Sequence, residues 1–249
     1  EATLPDTRVI NYAYTNPTPI APKRSIIFLG AVLLGLLLPF GVLYILKITD
    51  SKIHTREDLE KSFHNLDILG EIPYLEDTSS LMDARGGFAE SARIIRSNIS
   101  YKLPEDGGCK VILATSSIKG EGKTLNAFNM ANSYVCSGKK VLLIGADLRN
   151  PQIHNILGYN RKSNDKGLSS LLVDSALSPK AHISKVMGSF DGTLDILYSG
   201  PIPPNPAELL GSKAFTGLLD LLKNDYDYIF IDSAPLLLVS DSIPLIKYA

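Results

Sequence analysis

An α/β fold is what this sequence predicts: a mostly parallel sheet flanked by helices, preceded by one membrane-spanning helix. Three observations carry that expectation. Residues 26–46 run without a single charged side chain. From Lys110 onward, short continuous apolar runs alternate with helical patterns, the signature of strands covered on both faces. Between the first such run and the first such helix lies a glycine-containing turn that ends Gly-Lys-Thr.

The elements follow in chain order. Residues 1–24 are polar and turn-rich, and Pro17, Pro19 and Pro22 predict an extended, stiff segment. Residues 25–48 form the predicted span, since roughly twenty apolar positions at about 1.5 Å each cross a ~30 Å hydrocarbon layer. Pro39 is tolerated inside such a helix. Lys23 and Arg24 flank one end and Lys47, Lys52 and Arg56 the other, so flanking charge leaves the orientation open. Residues 49–87 read as a connector. Within it, Thr55 and Asp58 predict a capped helix over 56–63, residues 66–72 a short strand stopped by Pro73, and 77–87 a polar stretch. Residues 88–249 form the main domain. A helix over 88–101 places Ala92, Ile95 and Ile99 on one side. Strands follow at 111–115, 141–144, 194–198 and 228–231, with helices over 123–137, ended by Gly138, and 207–223. Asn205, Pro206 and Glu208 mark the start of the last helix as cap, first position and third position. Strands alternating with helices imply right-handed crossovers.

Composition narrows the function. The chain has 249 residues, 45% of them apolar, and a net charge of −1, which excludes the basic excess of a nucleic-acid binder. Cys109 and Cys136 have no CxxC or CxxH partner pattern and read as reduced, partly buried thiols. The sequence starts at Glu1 and ends just past a strand-and-loop pattern, and is read as an internal piece of a longer protein.

Three motifs carry chemistry. Residues 116–124, Ser-Ser-Ile-Lys-Gly-Glu-Gly-Lys-Thr, join a buried strand to a helix. Glycines let backbone amides close on phosphate oxygens, and the helix start adds positive potential. Ser117, Lys119, Gly120, Glu121, Gly122, Lys123, Thr124 and Leu125 are the predicted ATP-binding residues, with Lys123 reaching the β- and γ-phosphates and Thr124 ligating Mg²⁺. The general pattern opens with glycine where this chain has Ser117. Asp232 ends the strand at 228–231 and points to the ligand crevice of an open sheet, as a second metal-holding group. Asp147 stands just past the strand at 141–144, a second carboxylate beside the phosphate site, with Arg149 two residues on. ATP and Mg²⁺ are the expected cofactors. Because ATP is a cytoplasmic ligand, residues after the span are expected in the cytoplasm and 1–24 outside it.

Together these motifs resemble those of the bacterial tyrosine kinases, relatives of the MinD/ParA-like P-loop NTPases. Residues 145–149, Gly-Ala-Asp-Leu-Arg, are similar to that family's Asp-x-Asp-x-Arg motif, with Gly145 in place of the first Asp. The resemblance implies that Asp147 carries the carboxylate role alone, with Lys123 and Asp147 catalytic and Thr124, Asp147 and Asp232 around the metal. Glu90, Arg93 and Arg96 reproduce the family's Glu-x-x-Arg-x-x-Arg helix, which implies contacts in a homo-oligomeric ring. The run at 200–210 resembles the family's proline-rich loop before a helix, Asp241 also falls where the family tends to have Asp, and Pro17, Pro19, Pro22 and Lys23 resemble the proline-rich motif of polysaccharide chain-length regulators. The implied function is an ATP-dependent tyrosine autokinase of the bacterial inner membrane that controls exopolysaccharide or capsular polysaccharide. Its implied partners are a tyrosine-rich tail of the neighbouring subunit, a tyrosine phosphatase and the polymerase and export machinery. Two other readings stand beside it. One is an ATP-binding export scaffold without phosphate transfer, suggested by Gly145. The other is a ParA-like ATPase, against which the apolar span argues.

Overall fold

The computed structural model describes residues 17, 21–50, 52–53, 55–63, 66–74, 86–104, 107–159, 165–187 and 192–249. It falls into two units, Glu1–Asp67 and Ile68–Ala249. Most of the proline-rich segment 1–24 and most of the polar stretch 77–87 lie outside the described residues.

The first unit holds two helices. Helix α1, Arg24–Thr49, has 26 residues, none of them buried, and includes Pro39. It is long and apolar enough to cross a membrane. Helix α2, Arg56–Ser62, starts with the capping box expected from the sequence. The Asp58 amide donates to Thr55 Oγ1 at 3.3 Å and the Thr55 amide to Asp58 Oδ2 at 3.1 Å.

In the second unit, helix α3 spans Gly87–Lys102 and buries Phe88, Ala92 and Ile95. Strand β1, Lys110–Ala114, is followed by helix α4, Lys123–Val135, and strand β2, Val141–Gly145. Short helices α5, Ile153–Ile156, and α6, Leu168–Val173, lead to strands β3, Ile183–Met187, and β4, Thr193–Leu197. Helices α7, Pro206–Leu210, and α8, Lys213–Leu222, precede strand β5, Tyr228–Asp232, and a 3₁₀ segment, Ser240–Tyr248.

The sheet order is β1-β5-β2-β4-β3, with every pair parallel except β3 with β4. Alternate side chains of each central strand serve opposite faces, as a pleat requires. Leu142, Ile144, Ile229 and Ile231 pack with Leu168, Phe215, Leu219 and Leu222 of α6 and α8. Leu143 and Phe230 pack on the other face with Ala127, Phe128, Ala131 and Tyr134 of α4, backed by Ala92 and Ile95 of α3. The result is a three-layer α/β domain, as the sequence predicts.

Four expectations need correction. Residues 66–72 pair with no strand among the described residues. Instead Asn98 Nδ2 donates to the Leu69 carbonyl at 2.7 Å, while Leu69 and Ile72 pack against the α3 and α4 side of the core. Gly70 passes so near α3 that an added Cβ would lie 2.5 Å from Ile95 Cγ1. The expected helix over 207–223 is two helices, broken at Gly211 and Ser212. Gly211 closes α7 under Pro244, and the Ser212 hydroxyl restarts the chain as cap of α8 by accepting the Phe215 amide at 3.3 Å. Asn205 makes no side-chain cap for α7; its Nδ2 donates to Glu208 Oε2 at 2.8 Å instead. Finally, β3 adds a fifth strand that periodicity did not announce, because it is an edge strand with most side chains in solvent.

Candidate nucleotide site

The strand order places the three motifs side by side. Strand β5 lies between β1 and β2, and Asp232 is in register with both Ala114 and Gly145. All three strands run parallel, so their C-terminal ends open on the same edge, where open α/β sheets bind ligands. The backbone ties these ends together. The Ala146 and Asp147 amides donate to the Asp232 carbonyl at 2.7 and 3.0 Å, and the Ser233 amide to the Ala114 carbonyl at 3.1 Å.

The loop after β1 turns through two left-handed glycines, Gly120 at φ 94° and Gly122 at φ 80°. Only glycine takes such angles without strain. Gly122 stands at the N-cap position of α4 and no side chain caps the helix, so its first amides remain available to an anion. A cleft of about 450 Å³ opens here, walled in part by Lys119, Gly120, Gly122, Lys123, Thr124 and Leu125 together with Asp147 and Arg149. Ser117 and Glu121 do not line it. The Ser117 and Ile118 amides donate to Glu121 Oε2 at 2.8 and 3.2 Å, so this pair braces the outside of the loop.

Lys123, Thr124, Asp147 and Asp232 converge on one point. Lys123 Nζ donates to Asp232 Oδ1 at 2.8 Å and lies 3.8 Å from Asp147 Oδ2. The Thr124 hydroxyl donates to the same Asp232 oxygen at 3.2 Å. The three charged side chains are nearly inaccessible, at 7% for Lys123, 9% for Asp147 and 1% for Asp232. Burial pushes the Asp232 carboxyl above the ordinary carboxylate range, opposed by the Lys123 ammonium and the Thr124 hydroxyl. Asp147 is also fixed from behind, because the Asn150 amide donates to its Oδ1 at 2.9 Å.

This donor set suits Mg²⁺ with a triphosphate. An ammonium already sits against two carboxylates and a hydroxyl, so the spot attracts a cation. Among the described residues no cluster of three or more acidic, histidine or cysteine side chains offers a complete cage. Mg²⁺ takes one or two carboxylates from a protein and completes its shell with phosphate oxygens and water. Cys109 and Cys136 are partly buried and joined in no disulfide among the described residues.

Gly145 is packed, not merely vacant. An added Cβ would lie 2.8 Å from Ser199 Oγ, 3.1 Å from Ile153 Cδ1 and 3.3 Å from the Ser199 amide nitrogen. Ser199 therefore occupies the space a side chain at 145 would need. The three residues of α3 separate in role. Glu90 and Arg93 form an ion pair on the surface, whereas Arg96 donates to the Ser133 carbonyl and ties α3 to the last turns of α4. Sequence reasoning missed the bidentate pair of Arg149 with Asp241 in the 3₁₀ segment.

Comparison with known proteins agrees with this geometry. The tyrosine-protein kinase YwqD of Bacillus subtilis is 41% identical over 154 residues, covering 62% of this chain and 62% of its own length. The tyrosine-protein kinase wzc of Salmonella typhimurium is 28% identical, covering 100% of this chain and 36% of its own. The solved structure of the kinase domain of the Escherichia coli tyrosine kinase ETK superposes with a TM-score of 0.70 at 25% identity, covering 80% of each chain. Residues 109–247 match the family model described as an AAA domain. The chain belongs to the AAA-domain family, in its bacterial tyrosine-kinase branch. The loop at 116–124, Asp147 and Asp232, the three segments expected to hold phosphate and metal, lie at or just past adjacent strand ends. The chain spans less than two thirds of the length of either kinase relative.

Proposed function

We propose that this chain is part of an ATP-dependent protein-tyrosine autokinase of the bacterial inner membrane, which controls polymerisation or export of exopolysaccharide or capsular polysaccharide. The meeting of Lys123, Thr124, Asp147 and Asp232 at one point carries the reading. In it, α1 spans the membrane, the segment before it is extracytoplasmic, and the domain from α3 onward is cytoplasmic. Bound Mg·ATP supplies the phosphoryl group and the metal charge. The loop amides and the α4 N-terminus hold the phosphates. Lys123 would hold the β- and γ-phosphate oxygens, and Thr124, Asp147 and Asp232 would hold the metal. Asp147 then serves as acceptor for the proton of a tyrosine hydroxyl, because position 145 offers no second carboxylate. The protein's main contribution is positioning and charge neutralisation. Acceptor tyrosines come from the tail of a neighbouring subunit in a ring, to which Glu90 and Arg93 contribute contacts. A tyrosine phosphatase resets the ring, and the polymerase and export machinery responds to it. YwqD and wzc are tyrosine-protein kinases, which supports the assignment.

The test is a phosphotransfer assay on the intact membrane protein with γ-labelled ATP. Acid-stable phosphotyrosine that disappears in Lys123→Met supports the kinase. Gly145, filled in by Ser199, favours a second reading as a scaffold that binds ATP without transfer. Nucleotide binding and ring formation with no phosphotyrosine would select it.

A further inference from the structure

Arg149 is held from the far end of the domain. Its Nε donates to Asp241 Oδ2 at 2.6 Å and its Nη2 to Asp241 Oδ1 at 3.1 Å. The Arg149 side chain is 50% exposed, but Asp241 is only 1% exposed. An ion pair between two exposed chains would add little. Here one partner is a carboxylate withdrawn from water, and such a group must be compensated in place. The compensation is a two-bond, charge-assisted fork, the geometry that orients a guanidinium most firmly. Asp241 is fixed by burial, so Arg149 is held in one orientation. The fork uses Nε and Nη2, and Nη1 takes no partner among the described residues. Arg149 lines the same cleft as Lys123 and Asp147.

Charge shows what that open edge is for. Lys123 faces two carboxylates, so the buried cluster carries an excess of negative charge before any phosphate arrives. A triphosphate with one divalent cation deepens that excess, most of all as charge spreads over the equatorial oxygens of a phosphoryl group in transfer. A guanidinium with a free edge suits planar phosphate oxygens better than an ammonium does. We propose that Arg149 contacts the phosphoryl group being transferred and that Asp241 is its positioning residue. The assignment rests on the nucleotide reading above and adds two residues and a division of labour to it. Lys123 serves ground-state phosphate binding, and Arg149 serves the planar, transferring group.

The test uses the detergent-solubilised full chain with Mg²⁺ and two probes: ADP alone, and ADP with aluminium fluoride, a mimic of the planar phosphoryl group. Wild type should hold the mimic about 100-fold or more tighter than ADP, in line with the preference for transition-state mimics. Arg149→Met and Asp241→Asn should keep ADP affinity within about threefold while at least tenfold of the mimic preference is lost, because the contact exists only to the transferring group. Arg149→Lys should recover little of it, since a lysine cannot make the fork. In the phosphotransfer assay the same variants should lower kcat and leave KM for ATP unchanged. Arg149, being half exposed, provides the test even where Asp241→Asn fails to fold. A mimic preference kept intact in Arg149→Met overturns this assignment alone. ADP and mimic affinities falling together also overturn it, since that marks a general structural role. A wild type that holds neither probe overturns the nucleotide reading and this assignment with it.

Discussion

Lys123 sits where a metal ion would be wanted, with its ammonium 2.8 Å from Asp232 and 3.8 Å from Asp147. Two cations cannot share that spot, so the lysine would oppose a metal ion there unless phosphate oxygens took up the ammonium. Lys123→Met is therefore expected to weaken ATP binding at least tenfold while raising the affinity of the nucleotide-free protein for Mn²⁺, read by the loss of free Mn²⁺ signal in electron paramagnetic resonance. Position 145 behaves in the opposite sense to what its motif suggests. Gly145→Asp restores the family's carboxylate on paper, but its Cβ would collide with Ser199 Oγ at 2.8 Å and crowd the Ser199 backbone. Overpacking and a buried charge predict a loss of about 2 kcal/mol or more in denaturant unfolding, with no gain in transfer. Burial pushes the Cys109 thiol up to about 11. Its thiolate fraction rises only as pH climbs through that value, so iodoacetamide at pH 8 should label it about a hundredfold more slowly than the unfolded chain, followed by mass spectrometry. The residues of the phosphate loop, Asp147 and Asp232 were legible in the sequence because each motif is contiguous and sits at a strand end. Arg149 and Asp241, and likewise Gly145 and Ser199, meet only after folding. No local pattern announces a pair whose members are 92 residues apart.

The elements were legible where periodicity was strong. The central strands alternate their side chains between two covered faces, and the run at 123–137 became α4, Lys123–Val135. The misreadings arose where tertiary contacts overrode local pattern. A continuous apolar rhythm over 207–223 hid a break that Gly211 makes beneath Pro244. The strand expected over 66–72 had suitable residues but pairs with no strand among the described residues, and a side chain, Asn98, took the Leu69 carbonyl instead. The break carries its own prediction. Ser212 caps α8, whose Phe215, Leu219 and Leu222 fill one face of the core. Ser212→Ala should cost about 1 kcal/mol in urea unfolding, and Ser212→Asp should restore most of it.

At the scale of the molecule, a helix with no buried residue and a three-layer domain with a core on both faces of its sheet occur in one chain. Removing residues through Thr49 should move the protein from the membrane pellet to the supernatant without changing the unfolding midpoint of the remaining domain, because the core side chains named above all belong to the chain after Ile68. The central claim concerns the domain itself: three parallel strands, β1, β5 and β2, deliver a phosphate loop and two carboxylates to one Mg·ATP site. Equilibrium titration of the purified chain with a fluorescent ATP analogue, with and without Mg²⁺, tests it most directly. The account predicts saturable one-to-one binding that Mg²⁺ strengthens at least tenfold, with the Mg²⁺ increment lost in Asp232→Asn. Equal binding with and without Mg²⁺, or an Asp232→Asn protein that keeps the full increment, would contradict it.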